Sequence, residues 1–311
     1  MRNLMLLAVV NLAWATQFPA SRVAAQELGA MTVTWFAMLA AALLMLPMAW
    51  RERKYVRIAA APSRLRQIST IGLLGISGSL VAQLCLNWGL ERSPASSAAV
   101  INLSIPVLMA VLAALLLGER MSAMRWVAFA VSIPGVVLAS DVNWKELDFL
   151  TNRYFVGNGL VLLSCWGSAF YNVYSKRALD WLGPAQLTVA TFAVSLVVLL
   201  PAMIVYEPRP LERLTHATTG AFVSLFVIAV VSLALATFLF FRVLGEVDAT
   251  QASLSIYFLP VFGVVLSSAA LQERIGLPLI GGGLLVGAGA WLVTVHEERA
   301  KRNQDLVNSS T

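Results

Sequence analysis

The chain is 311 residues long, 59% hydrophobic and only 12% charged, with 22 Lys and Arg against 16 Asp and Glu. A soluble domain carries roughly 25% charged residues to meet water; half that share, with a mean hydropathy of +0.78, excludes an ordinary water-soluble globule and makes the lipid bilayer the natural solvent. The net charge of +6 forms no basic stripe with interleaved aromatics, so nucleic acid is not an expected partner, and the basic residues sit instead in short clusters between apolar runs.

A hydrocarbon core about 30 Å thick asks for about 20 apolar residues per helix. Windows of that length predict ten helices, near 4–21, 32–50, 69–89, 95–117, 124–140, 156–175, 185–206, 218–241, 249–271 and 276–295. Backbone polar groups find no partner in lipid, so helices rather than open sheet do the spanning. The first window, with Arg2, the apolar run Leu4–Val10 and Ala13-Trp14-Ala15, has the outline of a signal peptide. It is read as a span because an internal duplication gives it a partner in the second half. Asn11, Trp14 and Gln17 follow one another on it at spacings of three and share a face.

The segment 51–68 holds six basic residues. The third window carries Gln83 and Asn87 at i, i+4, with Gly72, Gly75 and Gly78 suited to tight helix packing. The fourth has Asn102 and Ser104 just before Pro106 and ends at Glu119-Arg120. The sixth offers Trp166, Ser168, Tyr171, Asn172 and Tyr174. The ninth has Gln251, Ser255 and Tyr257 before Pro260 and ends at Glu273-Arg274. The tenth holds Gly281, Gly282, Gly283, Gly287 and Gly289, with a GxxxG from Gly283 to Gly287 that lets two backbones approach, within the bundle or across a homodimer.

With both termini on the cytoplasmic side, fifteen of the 22 Lys and Arg fall on inner segments, which favours that orientation. Charges lie at span ends, where snorkelling accounts for them; no midplane Asp, Glu, Lys or Arg is visible as an ion relay, which leaves Glu91 and Asp248 near helix ends as the only acidic candidates for proton coupling. The two cysteines and two histidines form no ligand spacing, so no metal or cofactor is expected. The loop around Asp141, Glu146 and Asp148 has no pattern that an integral-membrane lipid-modifying enzyme would need.

The chain also resembles itself. At a shift of 154 residues, Ala95–Ser140 falls on Ala249–Thr294 without a gap: Pro106 meets Pro260, Glu119-Arg120 meets Glu273-Arg274, and Gly135 meets Gly289. Trp14-Ala15-Thr16 matches Trp166-Gly167-Ser168, and Pro47 matches Pro201. Five spans per half is an odd number, so the halves are inverted repeats: 1–150, 151–298, and a polar tail at 299–311. That plan belongs to many secondary transporters, with binding at the repeat interface.

These features resemble the drug/metabolite transporter superfamily, in its EamA-type branch. The resemblance rests on ten spans in paired repeats, the Trp-Ala/Gly-Ser/Thr element opening each half, and the Leu117-Gly118-Glu119-Arg120 and Leu271-Gln272-Glu273-Arg274 endings. It covers nearly the whole chain. It implies a carrier in the cell inner membrane that exports amino acids or related amphipathic solutes, with multidrug or other metabolite efflux as the alternative. Many relatives carry an arginine early in the second helix; Trp35-Phe36-Ala37 stands there in this chain.

The neutral polar and aromatic residues expected to line a solute cavity are Asn11, Trp14, Gln17, Gln83, Asn87, Asn102, Trp166, Tyr171, Gln251, Ser255 and Tyr257. The competing expectation for each is interhelical glue. Pro106 and Pro260 are expected kinks, since proline removes a helix hydrogen bond, and candidate hinges. Glu119 and Glu273 are candidate gate or repeat-interface residues, the alternative being a solvated pair with the adjacent Arg, worth little.

Overall fold

The computed structural model describes residues 2–52, 62–117, 123–139, 153–207, 209–239, 258–289, 291–292 and 295. Every one of the ten windows contains helix, and there is no strand among the described residues. Four helices are long and apolar enough to cross a membrane outright: Ala30–Glu52, Arg64–Leu90, Pro184–Tyr206 and Thr219–Leu239.

The first window is two helices, α1 (Arg2–Ala15) and α2 (Gln17–Leu28), parted at Thr16. Pro19 explains the break, having no N–H for the Ala15 carbonyl, and the backbone bonds flanking Thr16 are long, at 3.2 and 3.3 Å. The second window is α3 (Ala30–Glu52). The third runs from α4 (Arg64–Leu73) through a π-helical segment, π1 (Leu74–Leu80), into α5 (Val81–Leu90). The fourth is α6 (Ala95–Ile101), a 3₁₀ turn over Asn102–Ser104, and α7 (Ile105–Leu117). Pro106 leaves the Asn102 carbonyl without its helical donor, and the chain tightens there. Then come α8 (Ala123–Ala139), α9 (Arg153–Leu179), α10 (Pro184–Tyr206) and the short α11 (Pro210–Thr215). The eighth window is α12 (Thr219–Phe226) followed by a second π segment, π2 (Val227–Ala236). The ninth and tenth are α13 (Phe258–Leu271) and α14 (Leu277–Gly289). Pro260 is the third residue of α13; Ile256, whose carbonyl it would leave unpaired, lies outside the described residues.

The two π segments begin 153 residues apart, at Leu74 and Val227, so they occupy equivalent places in the two halves. In π1 the Gly75 carbonyl takes hydroxyls from Ser79 (3.2 Å) and from Ser195 of α10 (2.9 Å). A Cβ on Gly75 would stand 2.7 Å from Val194, so glycine is what lets α10 approach.

Packing follows a pseudo-two-fold axis. α3 lies on α10, its equivalent at a shift of 154, and the fourth span lies on the ninth through α6 on α13. Other contacts come in matched sets: π1 on α10 mirrors π2 on α3, and α7 on α9 mirrors α1 on α13. The paired helices run antiparallel, because the carboxylate that follows α10 sits at the start of α3 while the one that ends α3 sits at the start of α10. Equivalent helices of opposite direction define an inverted repeat.

Three glycines of α14 face other helices of the bundle. A Cβ on Gly282 would meet the Gly135 carbonyl of α8 at 2.6 Å, while Gly283 and Gly287 face Val100 and Leu103 at ordinary contact distance.

Candidate functional site

Three spans bring neutral polar groups together inside the helix bundle. Gln17, at the start of α2, donates through Nε2 to Gln83 Oε1 of α5 at 2.6 Å, and Ser232 Oγ of π2 donates to Gln17 Oε1 at 3.2 Å. The backbone places them: the break at Thr16 sets the beginning of α2, and the π segments widen the turns that lead into Gln83 and carry Ser232. The bonds run in one direction, from Ser232 to Gln17 to Gln83, so the Gln83 amide N–H groups form the donor end of the chain. Gln17 is buried and Gln83 half-buried. Trp14 is half-buried one turn before Gln17, on α1.

The other sequence candidates separate. Asn102 is half-buried at the 3₁₀ turn, its Nδ2 on the Ala98 carbonyl of its own helix at 3.1 Å. Asn11 is buried and bonds the Leu7 carbonyl at 2.8 Å. Asn87 is buried and donates to Thr34 Oγ1 of α3 at 2.8 Å, so it joins two helices. The Tyr171 hydroxyl reaches Thr191 Oγ1 of α10 at 3.4 Å, and its ring packs against Gly78. Trp166 is half-buried on α9 and packs against the core cluster that holds Val161, Cys165 and Ala169. Gln251, Ser255, Tyr257 and Glu119 lie outside the described residues.

Carboxylates fasten the two halves to each other at helix N-termini, where unpaired N–H groups and the helix dipole favour an anion. Glu207, after α10, accepts from Met31 N (2.8 Å), Thr32 N (2.7 Å) and Thr32 Oγ1 (2.6 Å) at the start of α3. Glu273, after α13, accepts from Ala95 N and Ser96 N, both at 2.8 Å, at the start of α6, and meets Arg22 Nε at 3.6 Å. Arg22 also donates to the Leu90 carbonyl at 3.0 Å and to that of Ser93. At the opposite end, Glu52 accepts from Gln186 N of α10 at 3.0 Å.

Sequence reasoning singled out Glu273 and missed Glu52 and Glu207. Yet these two lie 155 residues apart, and the glycines on which they rest, Gly29 and Gly183, lie 154 apart. Glu91, in the turn after α5, holds Ala30 N at 2.8 Å and pairs with Arg92 at 3.0 Å. Burial pushes its carboxyl above the usual range, against the opposing pull of the Ala30 N–H and Arg92, and the neighbouring Glu207 charge pushes the same way as burial.

The profile of the EamA-like transporter family matches residues 1–141 and again 155–295. The chain belongs to the EamA-like transporter family, and is a multi-pass membrane transporter built from two copies of that unit. It is 26% identical over 293 residues to a protein of Streptantibioticus cattleyicolor named "Probable terminal-alkyne amino-acid exporter", covering 92% of this chain and 91% of that one. It is 24% identical to an "Uncharacterized transporter" of Archaeoglobus fulgidus, covering 95% and 98%. A solved crystal structure shares the fold at a TM-score of 0.58 and 17% identity, covering 96% of this chain and 98% of the other. The family and these relatives are described as transporters, not enzymes, so a lipid-modifying activity is set aside.

Proposed function

We propose that this protein exports amino acids or related amphipathic solutes across the cell inner membrane, by alternating access between halves 1–150 and 151–298. Both termini and the polar tail 299–311 are then cytoplasmic, as the distribution of Lys and Arg favours. The observation that carries the reading is the Ser232–Gln17–Gln83 chain, a neutral polar locus spanning both halves. No Asp, Glu, Lys or Arg takes part in it among the described residues. Such a locus suits a solute whose own charges balance, since an uncompensated charge there would be expensive. Its free end offers N–H donors that a carboxylate can accept, with Asn102 and Trp14 as candidates to complete the cavity. The name of the Streptantibioticus relative points to the same solute class.

The test is tolerance of an expressing strain toward two panels, inhibitory amino-acid analogues and amphipathic drugs, each beside Gln83→Ala. Tolerance gained only against the analogues, and lost in the variant, supports the reading. Tolerance gained only against the drugs overturns it in favour of multidrug efflux.

A further inference from the structure

The rim of the bundle at the Glu52 end carries more positive charge than the fold uses. Residues 51–68 hold six basic side chains and one carboxylate, Glu52, and that carboxylate is engaged with Gln186 N of α10 at 3.0 Å. Arg51 lies in the last turn of α3, Arg64 and Arg66 open α4, and all three are exposed. Among the described residues none of the three pairs with a carboxylate, the exposed Asp180 of the α9–α10 turn included. They share one end of the molecule. α10 packs on both α3 and α4; its start at Gly183 receives Glu52, and Ile71 of α4, with Leu74 after it, clusters with Trp181 and Leu187 on either side of that start.

Local helix energetics do not ask for Arg64 and Arg66. Cations are disfavoured at a helix N-terminus, yet the first turn of α4 holds these two arginines, no acidic residue and no side-chain cap from Ser63. The turn is nonetheless fixed: Gln67 Nε2 donates to the Pro62 carbonyl at 2.7 Å and Gln67 N to that of Ser63 at 3.0 Å. Thr70 and Leu74 face the bundle and are buried, whereas Leu65, Ser69 and Leu73, at spacings of four, form an exposed outward stripe. Leu65 is 78% exposed, and Trp50, beside Arg51, is 74% exposed. Successive helix residues stand about 100° apart, so Arg64 and Arg66 lie to either side of that stripe at its outer end. An apolar stripe on a membrane span, flanked at its end by two guanidinium forks, fits a phospholipid, with the acyl chain on the stripe and the phosphate between the forks. The headgroup must be net anionic, because a zwitterionic one brings its own cation to a rim that already has an excess.

We propose that the start of α4 is a binding site for an anionic phospholipid, its headgroup held by Arg64 and Arg66 and its acyl chain lying along Leu65 and Leu73, with Arg51 and Trp50 extending the same rim. The bound lipid braces the span that runs through π1 into α5 and carries Gln83. The site follows from the charge and exposure of this rim and does not depend on which solute is carried.

The test uses the purified full chain in a neutral detergent, heated and read by fluorescence-detected size exclusion, with phosphatidylglycerol, phosphatidylcholine or inorganic phosphate added. Phosphatidylglycerol at about tenfold over its Kd should raise the Tm by about 3 °C; phosphatidylcholine and inorganic phosphate should not. Arg64→Gln with Arg66→Gln should raise the phosphatidylglycerol concentration for half the shift about thirtyfold, at about fivefold per basic residue. Arg209→Gln with Arg274→Gln, exposed at the opposite end, should leave it unchanged. In the wild type, high salt should raise that concentration too, since exposed charges are screened. The proposal is overturned if phosphatidylcholine stabilises as well as phosphatidylglycerol, if inorganic phosphate alone reproduces the shift, or if the wild-type response ignores salt. It is equally overturned if the α4 pair keeps the parental response, or if the control pair loses as much of it.

Discussion

Alanine at Gly29 should be among the most damaging single-methyl changes in the molecule. Two costs meet there. The backbone sits at φ +90° and ψ 147°, a region almost restricted to glycine, where another residue costs about 1–3 kcal/mol. The added Cβ would stand 2.6 Å from the Glu207 carboxylate, and overpacking of that kind costs about 1–3 kcal/mol more. If Glu207 yields instead, bonds to a charged group worth about 1.5–3 kcal/mol are lost. A total of roughly 3–5 kcal/mol, at about 2 °C per kcal/mol for a chain this long, lowers the detergent-solubilised Tm by about 6–10 °C. Gly183→Ala meets the Glu52 carboxylate as closely, but its φ of −71° and ψ of 155° suit alanine, so about half the loss is expected. Gly72→Ala inverts the sign: inside α4, with nothing within 4 Å of the new Cβ, it should gain roughly 0.5–1 kcal/mol of helix propensity. Fluorescence-detected size exclusion after heating ranks the three. Equal Tm values for Gly29→Ala and Gly72→Ala would refute the reasoning.

Asn87→Ala removes the bond to Thr34 and should cost about 0.6–1.7 kcal/mol, the range for interhelical polar contacts in membranes; the same heating assay reads it, and transport per folded molecule should be unchanged. Glu91 gives a pH prediction. Its raised carboxyl binds protons more readily in the folded than in the unfolded state, so its contribution to stability is fully present below the unfolded carboxylate pKa and is lost as pH rises through the folded value. The wild type should therefore gain thermal stability on acidification from neutral pH, and Glu91→Gln, which keeps an acceptor for Ala30 N, should flatten that part of the profile. An unchanged slope in the variant would assign the pH dependence to other groups.

Much of the architecture is legible in the chain because lipid imposes length: ten apolar windows of about 20 residues each contain helix. The inverted repeat is legible because Pro106 and Pro260 recur in register, and the break before Pro106 follows from a missing N–H. The same chemistry at Pro19 was equally readable, though it lies within an apolar window that hides the break at Thr16. The π segments were not readable, since Leu74–Leu80 and Val227–Ala236 look like any apolar helix until Ser79 and Ser195 are seen on the Gly75 carbonyl.

The polar residues show the limit most clearly. Composition says that an amide in lipid needs a partner, but which partner is tertiary information. Gln83 and Asn87 share a face of α5, yet one goes to Gln17 and the other to Thr34. Glu207 and Glu52 were hidden for another reason: as single acidic residues at span ends they look solvated, and only their recurrence with Gly29 and Gly183 sets them apart.

The central claim is a carrier whose neutral polar site is built on Gln83. Counterflow of labelled amino acids in proteoliposomes, for wild type and Gln83→Ala at matched folded protein, tests it most directly. The account predicts saturable exchange of at least one zwitterionic solute with no imposed ion gradient, and its loss by tenfold or more in the variant. Wild-type exchange that survives Gln83→Ala unchanged would contradict it.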